Sequence, residues 1–422
     1  MAKPMAAPKA TPKANTKAGR KAKAAVTVSL VTHPRRASTR QAAAVALDAS
    51  VPTSFTAVSS PPGIAADCSS DVSQALGSWL NSLPPGSAWT PAASDCFRID
   101  KGVKLHFPAA LTINGGTFED LNTTSPPPNG HGTTAGSPAF EVVGGSGVTF
   151  ENLRIVGAHN GWAYRPGLAF QGGIQLDGTM AAAIDNVSIT RTFGDGINLE
   201  PLRGGSDYAS GYIVNPVEKL TVSNVTITQT GRQGITPASV DGATFTNVHV
   251  TGVAFNAWDF EADQKGEGAR NVLIDGCVFS GINIAMEGSA VGPITMRNCT
   301  MLKTNHGDAV RIKNSSGRPF GGPIVLANDV LRCAASVYVS CFQFGGASDV
   351  TVRDSSVTIG FHHDAIHESA YTVSDGSHVT FANDVVAGFG LIGTTHAGST
   401  ATVTGGTWSS SGCRWPSICP KR

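Results

Sequence analysis

Seven asparagines constrain what this chain can fold into. Asn152, Asn186, Asn224, Asn247, Asn298, Asn328 and Asn383 each stand just before a short β-prone segment, and Gly276, Asp354 and Gly405 hold the same place in three more. The segments include Leu153-Arg154-Ile155, Val187-Ser188-Ile189, Val225-Thr226-Ile227, Val248-His249-Val250, Cys277-Val278-Phe279 and Cys299-Thr300-Met301, with a weaker continuation to Gly406-Thr407-Trp408. The interval between them is roughly 22 to 38 residues, the period of a solenoid coil. Asn tolerates turn conformations and bonds to neighbouring backbone, so one Asn per coil predicts a stacked column of tight turns.

A second series runs in step with the first. It reads Ile174-Gln175-Leu176-Asp177, Ile197-Asn198-Leu199-Glu200, Ile235-Thr236-Pro237-Ala238, Trp258-Asp259-Phe260-Glu261, Ile284-Ala285-Met286-Glu287, Val310-Arg311-Ile312-Lys313, Phe342-Gln343-Phe344-Gly345 and Ile366-His367. Positions one and three are apolar and point inward; positions two and four point outward. Two strands per coil, repeated through about ten coils, predict an all-β, single-stranded parallel β-helix with rungs ~4.8 Å apart. Composition agrees: 14% charged residues and 49 glycines suit short strands and many turns.

Three stretches divide the chain. Residues 1–60 read as a disordered Ala/Lys/Pro-rich arm. Residues 61–110 read as an N-terminal cap with first strands, its helix over 70–83 set by Val72, Ala75, Leu76, Trp79, Leu80 and Leu83 and stopped by Pro84-Pro85-Gly86. Residues 111–422 read as the β-helix. The formal net charge of +1 hides a split: residues 1–50 hold ten basic side chains and one acid, leaving 21 basic and 29 acidic for the rest. The arm is therefore a candidate for an anionic surface, and the acidic body argues against nucleic acid as its partner. No apolar run reaches the length of a membrane span.

The β-helix portion, with Ala66-Asp67-Cys68, Cys96-Phe97-Arg98-Ile99-Asp100 and Gly231-Arg232-Gln233-Gly234-Ile235 followed by Asp259-Phe260-Glu261, resembles the right-handed parallel β-helix superfamily of the pectate lyase and pectin lyase type. The resemblance implies a bacterial secreted protein acting on polysaccharides. Arg311-Ile312-Lys313 and Asp195-Gly196-Ile197 are similar to polygalacturonase motifs, but Arg232-Gln233 replaces the aspartate pair of that family and Phe255-Asn256 its Gly-His-Gly. The polygalacturonase pattern is broken.

The outward columns carry the chemistry. Glycoside hydrolysis needs one protonated and one ionised carboxyl, and stacked like charges raise one pKa. Asp259, Glu261 and Glu287 are the leading acid/base candidates, with Asp177, Asp195 and Glu200 next. Arg232, Arg311, Lys313 and His367 are placed to bind substrate, Arg by a bidentate fork. Trp162 and Tyr164, in the insertion 158–171, suit sugar stacking. Insertions at 201–219, 262–270 and 314–322 would form the opposite wall of a groove.

Two other readings stand beside hydrolysis: β-elimination on a uronic-acid glycan, and a non-catalytic adhesin or glycan-binding surface protein. The acidic stripe also suits Ca²⁺, although neither chemistry requires a cofactor. His363-Asp364-Ala365-Ile366-His367 mimics a two-histidine zinc motif, but that motif needs a helix and this stretch falls in a turn and strand. Cys68/Cys96, Cys333/Cys341 and Cys413/Cys419 are disulfide candidates; Cys277 and Cys299 share one inward column, to bridge or to pack as thiols. These pairs favour a secreted or cell-surface location. The short apolar run Ala24–Val31 is not a clean signal peptide.

Overall fold

Among the described residues all coils but the first and last contain three strands, where the sequence pattern predicts two. The computed structural model describes residues 55–124, 136–160, 163–203, 213–262, 267–280, 282–287, 292–303, 310–312, 322–333, 340–346, 349–359, 369–388 and 391–410. Two sheets of thirteen strands and one of eleven run along the helix, and every pairing within them is parallel. We call them sheet A (from Thr56–Val58 to Thr400–Thr404), sheet B (from Asp67–Asp71 to Thr407–Ser410) and sheet C (from Val103–His106 to Leu391–Thr395). The two predicted series are sheets B and C. The coil count exceeds the predicted ten because the first rungs lack the Asn signature.

Sheet A escapes the sequence pattern because of how the Asn turn works. Strand Thr149–Glu151 of sheet A and strand Arg154–Gly157 of sheet B are separated by Asn152 and Leu153 alone. Asn152 has φ +57°, and all seven frame asparagines lie between +51° and +59°. A single left-handed residue thus bends the chain from one sheet into the next, with no cluster of loop residues to mark the corner. The side chains form a ladder outside: Asn186 Nδ2 donates to Asn152 Oδ1 at 2.7 Å, and Asn247 Nδ2 to Asn224 Oδ1 at 2.8 Å. Gly276 and Gly405 (φ +66° and +67°) reach the same conformation without a side chain.

The alternation of sheet C holds at its inward positions. Ile174, Leu176, Ile197, Leu199, Ile235, Trp258 and Phe260 are all buried in one continuous core. Aromatic rings pack against one another inside the first coils, mostly edge-on or tilted, from Trp89 through Phe97, Phe118 and Phe140 to Phe150.

Helix α1 spans Ser73–Ser82 and starts later than predicted. Residues Asp67–Asp71 form a strand beside Cys96–Arg98, and the Cys68–Cys96 disulfide joins the two. Asp71 accepts from Ser73 N at 3.0 Å, while Leu76 and Leu80 seat the helix on the core. Leu83, before Pro84, turns extended and ends it. Strand Thr56–Val58, inside the segment predicted to be disordered, pairs with Ser87–Trp89. Cys333 and Cys341 form the second disulfide, and Cys277 and Cys299 are free thiols in the core. Cys413 and Cys419 lie outside the described residues. No helix among the described residues is long and apolar enough to cross a membrane.

Candidate active site on sheet C

The turn that leads into each sheet C strand places the site. Ile197, Ile235 and Trp258 are register partners, so Asp195, Gln233 and Asn256, two residues ahead of each, stack on successive coils. Gly234 lets the chains approach: a Cβ there would stand 2.3 Å from Val250 Cγ1. The side chains of Asp195 and Gln233 each take a backbone N–H from the next coil. Gln233 N donates to Asp195 Oδ1 at 2.9 Å, and Asn256 N to Gln233 Oε1 at 2.6 Å.

Arg232 closes this stack over the strand. Its Nη1 donates to Asp195 Oδ2 at 2.9 Å and its Nη2 donates to Glu261. Burial works against its charge, but the Asp195 and Glu261 carboxylates outweigh that cost and hold the guanidinium above its ordinary pKa. Burial pushes the carboxyl of Asp195 upward, against the pull of Arg232 and the bonds from Gln233 N and Thr236. Thr236 Oγ1 donates at 2.8 Å, so both Asp195 oxygens accept, the pattern of an ionised carboxylate. Asp259 Oδ2 accepts from Gln233 Nε2 (2.6 Å) and Asn256 Nδ2 (2.8 Å).

This arrangement corrects the picture of an open acidic stripe. Asn198, Thr236 and Asp259 sit at the outward positions of their strands, yet all are buried. For Thr236 and Asp259 the physical reason is the Asp195–Arg232–Gln233–Asn256 network, whose side chains bend over the strand and bond to its polar groups.

A second carboxylate pair stands two and three rungs before Glu261. Asp177 and Glu200 are direct register partners, and both are half-buried. Burial, and then the neighbouring Glu141 carboxylate, push the Asp177 carboxyl up to about 7. Gln175 Nε2 donates to Asp177 Oδ1 at 2.9 Å, and Asn198 Nδ2 to Glu200 Oε1 at 3.3 Å. Glu141 pairs with Lys104, 2.6 Å away. Sequence reasoning misses Glu141 and Lys104, although Phe140-Glu141-Val142 carries the same alternation one rung upstream of Ile174.

The insertion 158–171 supplies aromatic faces beside the strands. Tyr164 packs on Phe255, ring centroids 4.9 Å apart, and both rings are partly exposed. Arg165 lies over the ring of Phe193. Phe170 lines a shallow depression with Pro138, Gln175, Asp195 and Asn198.

The structure therefore gathers Asp195, Arg232, Asp259 and Glu261 into one network and sets Asp177 beside Glu200. Glu287 is the backbone partner of Glu261, and Arg311 is two rungs beyond Asp259. Trp162, Lys313 and His367 lie outside the described residues.

No protein-family model and no curated protein matches the chain. Solved structures do. The A-module of a mannuronan C-5 epimerase from Azotobacter vinelandii is 11% identical with a TM-score of 0.53, over 81% of this chain and 98% of that one. The shared property is the fold, a right-handed parallel β-helix. The catalytic unit of a GH87 α-1,3-glucanase from Streptomyces thermodiastaticus is similar to this β-helix at 16% identity, covering 87% of this chain and 73% of that one, TM-score 0.53. PfbA, a surface adhesin of Streptococcus pneumoniae, is similar at 13% identity over 80% and 93% of the two chains, TM-score 0.51.

Proposed function

We propose that this β-helix cleaves a polysaccharide bound along sheet C by glycoside hydrolysis, with Asp177 as the acid and Glu200 as its carboxylate partner. The observation that carries the reading is the pairing itself. A carboxyl raised to about 7 still holds a proton near neutral pH, and Glu200 stands on the adjacent rung. Rungs ~4.8 Å apart suit the ~5–5.5 Å separation of a retaining pair. Asp177 would protonate the glycosidic oxygen as Glu200 attacks the anomeric carbon. Water, deprotonated by Asp177, would then release the sugar from Glu200 and restore both groups.

The Asp195–Arg232–Glu261 network holds the neighbouring coils, and Tyr164, Phe170 and Phe255 offer ring faces to sugars. Disulfides at Cys68–Cys96 and Cys333–Cys341, with a glucanase and a surface adhesin among proteins of like fold, support work outside the cell or at its surface.

The test is release of new reducing ends from a panel of polysaccharides by wild type, Asp177→Asn and Glu200→Gln. Both variants are expected to lose about 10²–10⁴ of the rate while melting like wild type. The wild-type rate should fall as pH rises through about 7, because the acid then loses its proton. Wild-type inactivity on every glycan would favour the binding module; unsaturated sugar ends would show elimination instead.

A further inference from the structure

Among the described residues the charges facing sheet C are engaged by the protein itself, and this bears on the class of glycan. Lys104 is paired with Glu141, Arg232 is bound at both ends, by Asp195 and Glu261, and Arg165 lies over the ring of Phe193. Arg311, beyond the acidic stretch, makes an interaction of its own. A uronate or sulfate needs a cation to replace its water, and these cations are already engaged by the protein. The carboxylates are answered as well: Asp259 by two amides, Glu200 by Asn198, Glu261 by Arg232. A polycation would have to displace those bonds. What the face exposes to a ligand is aromatic surface, from Tyr164, Phe255 and Phe170, with the half-buried amide of Gln175 beside it. Rings stack on the apolar faces of sugars and amides bond to hydroxyls.

We infer that sheet C takes a neutral polysaccharide and rejects both polyuronate or sulfated chains and amino-sugar polycations. The inference rests on the proposal that this face binds a glycan, and it narrows that proposal to uncharged chains. Like charges brought to within a rung of the Glu200 and Glu261 carboxylates would weaken a polyanion by on the order of a hundredfold.

The experiment is affinity electrophoresis of the full chain in gels containing mixed-linkage β-glucan, α-1,3-glucan oligomers, galactomannan, chitosan, polygalacturonate or alginate. The basic arm of residues 1–50 attracts polyanions by itself. Binding by sheet C is therefore the part of the retardation removed by Phe255→Ala, whose ring is partly exposed. At least one neutral polymer should retard the protein. Phe255→Ala should weaken that binding about tenfold, and added salt should leave it unchanged. Retardation by a uronan or chitosan that Phe255→Ala abolishes would overturn the inference, as would the absence of retardation by every neutral polymer. Reducing-end assays separate the two claims. A neutral polymer bound but uncleaved sinks hydrolysis and leaves this inference standing; hydrolysis of a polyuronate does the reverse.

Discussion

Two columns of polar side chains stack along this β-helix by the same device, and they differ in one respect. Outside the corner between sheets A and B, Asn186 bonds to Asn152 and Asn247 to Asn224, with the same residue type on coil after coil. Ahead of the sheet C strands, Asp195, Gln233 and Asn256 likewise accept or donate between neighbouring coils, but each residue is different and all three are buried. The corner must be turned in every coil, so its residue repeats. The second column repeats in position and varies in chemistry, and there a cation bridges two carboxylates. In a solenoid, repetition marks the scaffold, and a break in identity at a repeated position marks the site.

The largest effect should come from removing that cation. Arg232→Met strips the counter-charge from buried Asp195 and from Glu261 together. A buried charge left without its partner costs about 3–5 kcal/mol. Thermal melting should show a drop of many degrees, and any polysaccharide cleavage should be lost with it. The double variant Arg232→Met/Asp195→Asn should recover much of the stability, because the charge that stays behind, Glu261, is only half-buried. The exposed pair Arg297–Asp275 is the control: Arg297→Met should cost under about 1 kcal/mol. Equal losses at the two sites would erase the distinction between the columns.

The same contrast explains what the amino-acid sequence discloses. The Asn column and the inward alternation of sheet C were legible because each depends on local conformation and repeats. Sheet A was hidden because one left-handed Asn joins two strands without a loop. The clustering of Asp195, Arg232 and Glu261 was only half legible. Their rungs follow from the repeat, but the bending of Arg232 and Gln233 over the strand depends on rotamers that periodicity does not encode. Glu141 was within reach by following the alternation one coil upstream.

A third column, one residue beyond the Asn turn, faces inward and changes character along the chain. It runs Leu153, Val187, Val225 and Val248, then Cys277, Cys299, Asp329, Ser355 and Asp384. The polar members form a relay. Cys277 N donates to Cys299 Sγ (3.3 Å), Cys299 N to Asp329 Oδ1 (2.8 Å), Asp329 N to Ser355 Oγ (3.2 Å) and Ser355 N to Asp384 Oδ1 (2.8 Å). The second oxygens of Asp329 and Asp384 are buried with no hydrogen-bond partner, and burial raises the two carboxyls to about 7 and about 6. A raised folded-state pKa means that the native chain holds protons the unfolded chain has lost. From this source stability is greatest below about 4 and falls as pH rises, until about 6 for Asp384 and about 7 for Asp329, by about 1 kcal/mol per unit for each group within its own range. Melting temperature should decline from pH 5 to pH 7 and then level off. Asp329→Asn should flatten that slope; an unchanged slope would show that the carboxyl is charged throughout.

The smallest effects belong to the scaffold column, and they test whether conformation or bonding holds it. Asn224 has φ +55°, donates to Asp185 Oδ1 at 2.9 Å and accepts from Asn247. Asn224→Ala keeps a Cβ in the left-handed region and loses both bonds, so about 1–2 kcal/mol should be lost. Asn224→Gly loses the bonds but not the conformation, and should cost less than the Ala variant. Gly276 offers the converse. It holds φ +66° at the equivalent corner, and a Cβ there would meet nothing within 4 Å. Gly276→Asn restores the column's own residue and restricts the unfolded chain, which is worth about 0.4–1 kcal/mol where the new residue fits. The urea midpoint should move up slightly. A downward shift would mean that the corner at Gly276 differs from its neighbours and that the repeat is interrupted there.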